Sequence, residues 1–98
     1  MQEENKKTLK EAAKILQKIS HPLRLELVLK LISSKCCVKE IGEEMKLPQA
    51  TASQHLKQLR ESSIVEDNRK GNTVEYCIND PWIIELLEFL KSKIKPIA

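Results

Sequence analysis

The stretch 47–61 constrains the fold more than any other part of the chain, because it has the pattern of one amphipathic helix. Ala52, Leu56 and Leu59 recur at helical spacing and predict a buried stripe. On the opposite face short or amide side chains come first and cations follow: Gln49, Thr51, Ser53, Gln54, Lys57 and Arg60. Such amides and hydroxyls can reach base edges in a major groove, and cations can reach phosphates. The stretch predicts a DNA recognition helix, with an ordinary solvated surface helix as the alternative.

The residues before this stretch predict a helix-turn-helix. Residues 39–46 have the pattern of a short helix, and a tight turn ending at Pro48 leads from it into the recognition helix.

Further upstream, residues 6–19 predict an amphipathic helix, and residues 22–33 are apolar almost all round and predict a buried central helix. His21, at the start of that central helix, is a capping or packing residue by the simplest interpretation, with a ligand or phosphate contact as the alternative.

The residues after the recognition helix predict a β-hairpin. Residues 64–69 and 73–79 read as strands, with residues 68–72 as the turn between them. Arg69 and Lys70 lie in this turn, where they could reach the minor groove or its flanking phosphates. A basic hairpin that follows a helix-turn-helix is typical of a wing, although a solvated hairpin tip would also carry such cations.

Asp80 followed by Pro81 predicts the start of a last helix over residues 81–95. Its apolar arc is wide, and we expect more apolar surface than one small domain can cover. The simplest partner is a second copy of the chain, joined through helices 6–19 and 81–95. A homodimer would place two recognition helices on the half-sites of a palindromic operator. The alternative is a last helix folded wholly onto its own chain.

Composition sets outer limits on these interpretations. The 98 residues predict a single domain over 1–98, with residues 1–5 frayed, and the net charge of +3 is compatible with DNA. No apolar run approaches a membrane span and no signal-peptide core is present, so we expect a cytoplasmic protein without a membrane partner. The two histidines, His21 and His55, sit on separate helices, and no nucleophile–base pair is recognisable, so an enzyme is not expected.

Four segments together resemble the ArsR/SmtB family of winged-helix repressors. They are residues 19–25 (ISHPLRL), 37–41 (CVKEI), 47–59 (LPQATASQHLKQL) and 69–76 (RKGNTVEY), and the match covers about residues 12–80. The resemblance implies a mainly α winged helix-turn-helix with about five helices, a dimer through the first and last helices, and release from the operator by an inducer. It also implies that Gln49, Ser53 and Gln54 read bases, while Thr51 and Lys57 contact phosphate.

The chain departs from the family pattern at three places. The frequent Ser-Gln-Pro at the start of the recognition helix is Pro48-Gln49-Ala50 here. The Gly that often follows that helix is Ser63, and the wing residue after Gly71, often Arg in the family, is Asn72.

Two alternative functions remain open: a DNA-binding regulator without a ligand, and a winged helix used only for protein interaction.

The cysteines are the candidate inducer site. Family members often hold a metal through Cys-X-Cys, but the corresponding run here is Cys37-Val38-Lys39, preceded by Cys36, and helix 81–95 has no His for the family's other zinc site. The resemblance implies that this segment pairs with a wing strand. If that is the second strand, Cys37 and Cys77 oppose each other, with Cys36 as a third candidate. An oxidant, a sulfur species or a thiophilic metal or metalloid ion could then join them, whereas the alternative is ordinary buried thiols.

Overall fold

The computed structural model describes residues 6–33 and 36–95, and of Cys36 it describes the backbone alone. Within these residues five helices and three strands follow one another along the chain. In order they are α1 (Leu9–Ile19), α2 (Pro22–Leu31), β1 (Cys36–Cys37), α3 (Val38–Met45), α4 (Gln49–Glu61), β2 (Glu66–Lys70), β3 (Thr73–Cys77) and α5 (Pro81–Lys93). The strands form an antiparallel sheet in the order β1-β3-β2. The predicted mainly helical fold with a β-hairpin wing is confirmed, whereas the expectation of frayed residues 1–5 lies outside the described residues.

Side-chain caps decide where the first and last helices begin. Thr8 and Glu11 form a reciprocal capping box, in which the Thr8 N–H donates to Glu11 Oε1 at 2.8 Å and the Glu11 N–H donates to Thr8 Oγ1 at 3.1 Å. Helix α1 therefore begins at Leu9 rather than at residue 6 as predicted. Asp80 caps α5 by accepting the Trp82 N–H at 2.9 Å, so the predicted Asp80-Pro81 start is confirmed.

The core is aliphatic and draws on every helix. The stripe predicted for α4 is confirmed, because Ala52, Leu56 and Leu59 are all completely buried. Helices α1, α4 and α5 pack against α2, whereas α3 packs against α4. The buried apolar residues are Ile15, Ile19, Leu27, Val28, Leu31, Ile41, Ala52, Leu56, Leu59, Ile64, Val65, Tyr76, Ile78, Ile83 and Leu87. Because one stripe of α4 is anchored in this cluster, its opposite face is held towards solvent.

The turn between α3 and α4 passes very close to α3. A Cβ atom placed on Gly42 would lie 3.1 Å from the Leu47 carbonyl oxygen and 3.8 Å from the Cα atom of Gln49. Helix α3 ends where Lys46 adopts a left-handed conformation with φ of 56°, and the Leu47 N–H returns to the Gly42 carbonyl at 2.8 Å. This is a Schellman ending, and it turns the chain sharply into α4.

Helix α4 ends with the same motif. Ser63 has φ of 62°, its N–H donates to the Arg60 carbonyl at 3.0 Å, and the Ile64 N–H donates to the Leu59 carbonyl at 3.0 Å. Ile64 and Leu59 are both buried, which is the apolar contact that usually accompanies this ending. The left-handed position is occupied by Ser63 where the family pattern often has Gly.

The hairpin differs from the prediction in its boundaries. Ile64 and Val65 are buried connectors that precede the strand, and β2 begins only at Glu66. The strands also run further towards the tip, because Lys70 pairs with Thr73 and leaves only Gly71 and Asn72 as the turn. Gly71 has φ of 60°, the conformation that favours Gly at the first position of a tight hairpin turn. The predicted five-residue turn over 68–72 is therefore wrong.

The terminal helices leave apolar side chains in solvent. Leu9 is 88% exposed and Leu16 49% exposed on α1, and Phe89 is 61% exposed on α5.

Helices α2 and α5 end at Leu31 and Lys93, earlier than the predicted ends at 33 and 95. No helix in the described part of the chain is long and apolar enough to cross a membrane.

We predict that Ser63→Gly stabilises the protein. Glycine adopts the left-handed conformation without the strain that a Cβ atom introduces, and it preserves both main-chain hydrogen bonds of the motif. The expected gain in the free energy of unfolding is up to about 1 kcal/mol, measured by urea unfolding. The control is Ser62→Gly, where φ is −92° and the hydroxyl donates to the Gln58 carbonyl at 3.1 Å, so destabilisation is expected. Equal losses in both variants would contradict the prediction.

Candidate nucleic-acid interface

The outward face of α4 carries most of the predicted DNA-binding side chains. Gln49, Ser53, Gln54 and Lys57 are exposed. Thr51 is half-buried, because it lies on the flank of α4 that also carries His55 and Gln58 at helical spacing. The exposed residues form a polar surface about two turns long, with amides and a hydroxyl towards the N-terminal end and the cation further along.

The first turn of α4 has no side-chain cap. Pro48 is the N-cap residue, and it provides no side-chain hydrogen bond to the N–H groups that follow it. Pro48 thus lies just before the helix and Gln49 is its first residue. An uncapped first turn carries partial positive charge and unpaired N–H groups, which suits contact with an anion such as a phosphate.

The two wing cations lie in strand β2 rather than in the turn. Arg69 pairs with Val74 and Lys70 pairs with Thr73, so their side chains leave opposite faces of the hairpin. Both side chains are exposed. Lys70 Nζ lies 3.6 Å from Glu75 Oε1, which neutralises part of its charge. Among the described residues, Arg69 forms no ion pair of this kind, so its charge is the less neutralised of the two.

An ion pair connects the end of the recognition helix to the wing. Arg60 Nε lies 3.7 Å from Asp67 Oδ2, and both side chains remain about two-fifths exposed. The sequence suggested Arg60 as a cation for phosphate, but the structure engages it with the wing instead. An exposed pair of this kind contributes less than about 1 kcal/mol, so it orients the hairpin without fixing it.

A group of polar residues joins α2 to α4 on the inner flank of the recognition helix. His21 Nδ1 accepts the Leu23 N–H at 3.1 Å, so the predicted capping role is confirmed. The His21 ring also lies against the His55 ring, with centroids 5.0 Å apart and planes tilted by 51°. One turn further along, Arg24 Nη1 donates to Gln58 Oε1 at 3.5 Å and Arg24 Nε donates to the Lys18 carbonyl at 2.6 Å.

The environment of His55 favours the neutral form of its side chain. Burial lowers its pKa below the ordinary value of about 6.5, and the neighbouring His21 and Arg24 lower it further. Its Nδ1 atom is buried without a hydrogen-bond partner within the described residues. The sequence placed the two histidines on separate helices and gave no sign that they meet, because 34 positions separate them and only helix packing brings them together.

The cysteines are close to one another but not in the predicted register. Strand β1 pairs with β3 as expected, yet Cys37 lies opposite Glu75 and the backbone of Cys36 lies opposite Tyr76. The predicted opposition of Cys37 and Cys77 is therefore wrong. Both residues still share one side of the sheet, as diagonal neighbours about 7–8 Å apart by strand geometry. Within the described residues no cluster of three metal-binding side chains is found.

Each of the two free cysteines already has a local contact. Cys37 is the N-cap of α3, and its N–H donates to Glu40 Oε1 at 3.2 Å. Hydrogen bonds from Cys37, the backbone first and then the side chain, lower the pKa of the Glu40 carboxyl. Cys77 Sγ accepts a hydrogen bond from Asn79 Nδ2 at 3.6 Å. Both cysteines are half-buried and unbridged.

A helix-turn-helix that presents amides and a cation outwards beside a basic hairpin defines the class of winged helix-turn-helix DNA-binding regulators. The model of the family described as "Bacterial regulatory protein, arsR family" matches residues 21–67. The chain is 36% identical over 84 residues to the transcriptional repressor PagR of Bacillus anthracis, covering 85% of this chain and 84% of PagR. It is 35% identical over 88 residues to the biofilm growth-associated repressor of Xylella fastidiosa, covering 90% and 77%. The protein therefore belongs to the arsR family of regulatory proteins.

Solved structures agree with this assignment. The crystal structure of the transcriptional repressor BigR from Xylella fastidiosa superposes with a TM-score of 0.81 at 33% identity, covering 90% of both chains. A homodimeric winged helix-turn-helix DNA-binding domain from Mycobacterium bovis superposes with a TM-score of 0.79 over 87% of this chain and 79% of that one. At 22% identity the latter likeness shows the fold alone. The family consists of transcriptional regulators, so the prediction that the chain is not an enzyme is confirmed.

We predict that stability falls as the pH falls from about 7 to 5.5. Because the pKa of His55 is lowered in the folded protein, the unfolded chain takes up a proton near pH 6.5 and the folded protein does so only at a lower pH. The contribution of His55 to stability is therefore present above pH 6.5 and lost as the pH falls through the lower folded pKa. Urea unfolding at pH 7.5, 6.5 and 5.5 measures this slope, and His55→Gln, which cannot titrate, should flatten it. An unchanged slope in that variant would contradict the assignment.

Proposed function

We propose that this protein is a dimeric transcriptional repressor that binds a palindromic operator and leaves it when an inducer binds. The observation that carries the proposal is the uncapped start of α4 followed by an exposed polar face, while the opposite stripe is locked in the core. A major groove accepts one α-helix, and the N-terminal end of a recognition helix usually makes the base contacts. The named repressors among the relatives support the same direction of control.

The proposed contacts follow from position along α4 and the wing. Gln49, Ser53 and Gln54 occupy the exposed N-terminal half of α4 and are proposed to read base edges. Lys57 lies one turn further along, and half-buried Thr51 lies at the flank, so both are proposed to contact phosphate. The exposed cations of β2 are proposed to contact the minor groove or its flanking phosphates; they are Arg69 and Lys70.

The proposed dimer uses the exposed apolar residues of the terminal helices. Leu9 and Leu16 are seven positions apart and share one face of α1, and Phe89 is exposed on α5. Lys7 Nζ donates to Asp80 Oδ2 at 2.6 Å, which brings the beginnings of the two helices together. Helix α5 is only partly folded onto its own chain, because Ile83 and Leu87 are buried whereas Phe89 is not. The Mycobacterium bovis domain of similar fold is itself homodimeric.

Two measurements test the proposed function on the intact protein. Sedimentation should give the mass of two chains, and binding to a palindromic duplex selected from a randomised pool should weaken steeply with salt. Lys57→Ala should weaken binding to all duplexes alike and reduce the slope of log affinity against log salt by about two, about one for each protomer of the dimer. Gln54→Ala should instead relax preference at one base pair of each half-site, by about 1–3 kcal/mol per base pair.

The matched control is Lys14→Ala, which removes the same charge from an exposed position on α1. It should leave both the affinity and the salt slope almost unchanged. A protein of single-chain mass that ignores every duplex at low salt would contradict the proposal and favour a protein-interaction module. Salt-dependent binding that no thiol reagent, metal or metalloid changes would favour a regulator without a ligand.

We further propose that the inducer acts on the thiols Cys37 and Cys77. Disulfide formation would remove two protons and two electrons from the thiols and transfer the electrons to an oxidant. The diagonal spacing of about 7–8 Å exceeds the usual Cα separation in a disulfide, so the bond requires movement of β3 relative to the start of α3. Joining them would displace the wing relative to the helix-turn-helix. A thiophilic metal or metalloid ion bridging the sulfurs would act in the same direction, with Cys36 as a further candidate ligand.

For the thiol proposal we predict that Cys37→Ser and Cys77→Ser each bind the selected duplex as tightly as the wild type. Neither should release it on treatment with an oxidant, polysulfide or arsenite, whereas the wild type should do so. Gel shift assays with and without reductant, together with thiol counting by mass spectrometry, provide the measurement. If both variants still release the duplex like the wild type, the inducer does not act on these thiols.

A further inference from the structure

The polar contacts between α2 and α4 form a group that the proposed DNA surface does not use. We call His21, Arg24, His55 and Gln58 the α2–α4 junction. Its members are matched in spacing, because His21 and Arg24 are three positions apart on α2, and so are their respective partners His55 and Gln58 on α4. All four side chains are half-buried. The junction therefore runs along the inner flank of the recognition helix for one turn.

Arg24 extends the junction to a third helix. Its Nε atom donates to the Lys18 carbonyl at 2.6 Å, in the last turn of α1, while Nη1 donates to Gln58 Oε1 at 3.5 Å. A guanidinium group is planar and holds its donors at fixed angles, so contacts on two of its nitrogens constrain the partners relative to each other. The Lys18 carbonyl is one of the terminal acceptors of α1 that no later turn of that helix can satisfy.

This arrangement places one side chain between the proposed dimer helix and the proposed recognition helix. Helix α1 carries the exposed Leu9 and Leu16, and α4 carries the exposed polar face. Apolar burial holds these helices together without a preferred direction, and the hydrogen bonds of Arg24 add directional contacts to it. The His21 ring packs against His55, one turn before Gln58 on α4.

We propose that Arg24 is a positioning residue that sets the orientation of the recognition helix relative to α1, and thereby the separation of the two recognition helices in the dimer. This inference rests on the proposed function, because it concerns how the same DNA surface is placed. Gln58 is the acceptor on α4 through which Arg24 acts. The consequence is a preference for one half-site spacing, since adjacent half-sites must match the distance between the two helices.

The test compares affinities for three duplexes that carry the palindrome selected by the wild-type protein, with the central spacer unchanged, shortened by one base pair or lengthened by one. The wild type should bind the unchanged duplex at least about tenfold more tightly than the other two, since each poorly placed half-site forfeits its contacts. Arg24→Met keeps the apolar stem but removes both hydrogen bonds. It should lower this spacing preference by about threefold or more, with the two-chain mass retained.

Two further variants keep the test decisive. Lys30→Met is the matched control, because it removes a half-buried cation from the same helix, where it pairs with Glu44 at 3.4 Å; its spacing preference should equal that of the wild type. Gln58→Leu removes only the acceptor on α4, and it decides the matter if Arg24→Met does not fold. It should also lower the spacing preference.

The outcomes separate this inference from the proposed function. If the wild type binds none of the duplexes, the proposed function itself fails. If the wild type prefers one spacing and both Arg24→Met and Gln58→Leu retain that preference, the positioning role is overturned. It is also overturned if the variants lose affinity equally for all three duplexes, because that result indicates a phosphate contact or a general loss of structure.

Discussion

Burial of one stripe of α4 is the interaction on which the candidate interface depends. Ala52, Leu56 and Leu59 are completely enclosed by the core, and each leucine contributes about 1.5–3 kcal/mol through the apolar surface it removes from water. A rotation of the helix about its axis would expose this stripe, so its angular position is fixed. The same burial that stabilises the fold therefore determines which side chains face outwards.

The two ends of α4 are fixed by backbone geometry that side chains other than glycine adopt with strain. Lys46 before the helix and Ser63 after it both have left-handed φ values, of 56° and 62°. Each returns the chain sharply, and after Ser63 the buried residues Ile64 and Val65 anchor the start of the wing. The wing consequently leaves the core at a fixed point, and the exposed Arg60–Asp67 pair adds little to the stability of its position.

The features that could be predicted from sequence are those in which local pattern and tertiary packing agree. The stripe of α4 and the Asp80 cap both followed from spacing and residue type. The register of β1 against β3 could not be read in this way. A shift by two positions keeps the same side chains on the same face, and this is the difference between Cys37 opposite Cys77 and Cys37 opposite Glu75. Contacts between helices distant in sequence, such as His21 with His55, depend on packing angles that no local pattern contains.

The modest net charge of the protein limits how strongly it can be attracted to DNA of any sequence. The net charge is only +3, and two cations near the interface are already paired, Arg60 with Asp67 and Lys70 with Glu75. General attraction to the phosphate backbone is then limited, and in the proposed dimer affinity depends largely on the simultaneous placement of two recognition helices. When affinity depends on placement, a small change in the separation of the two helices or in the position of the wing removes many contacts together. In the proposed mechanism, an inducer that acts on the sheet would therefore release DNA without covering the surface that binds it.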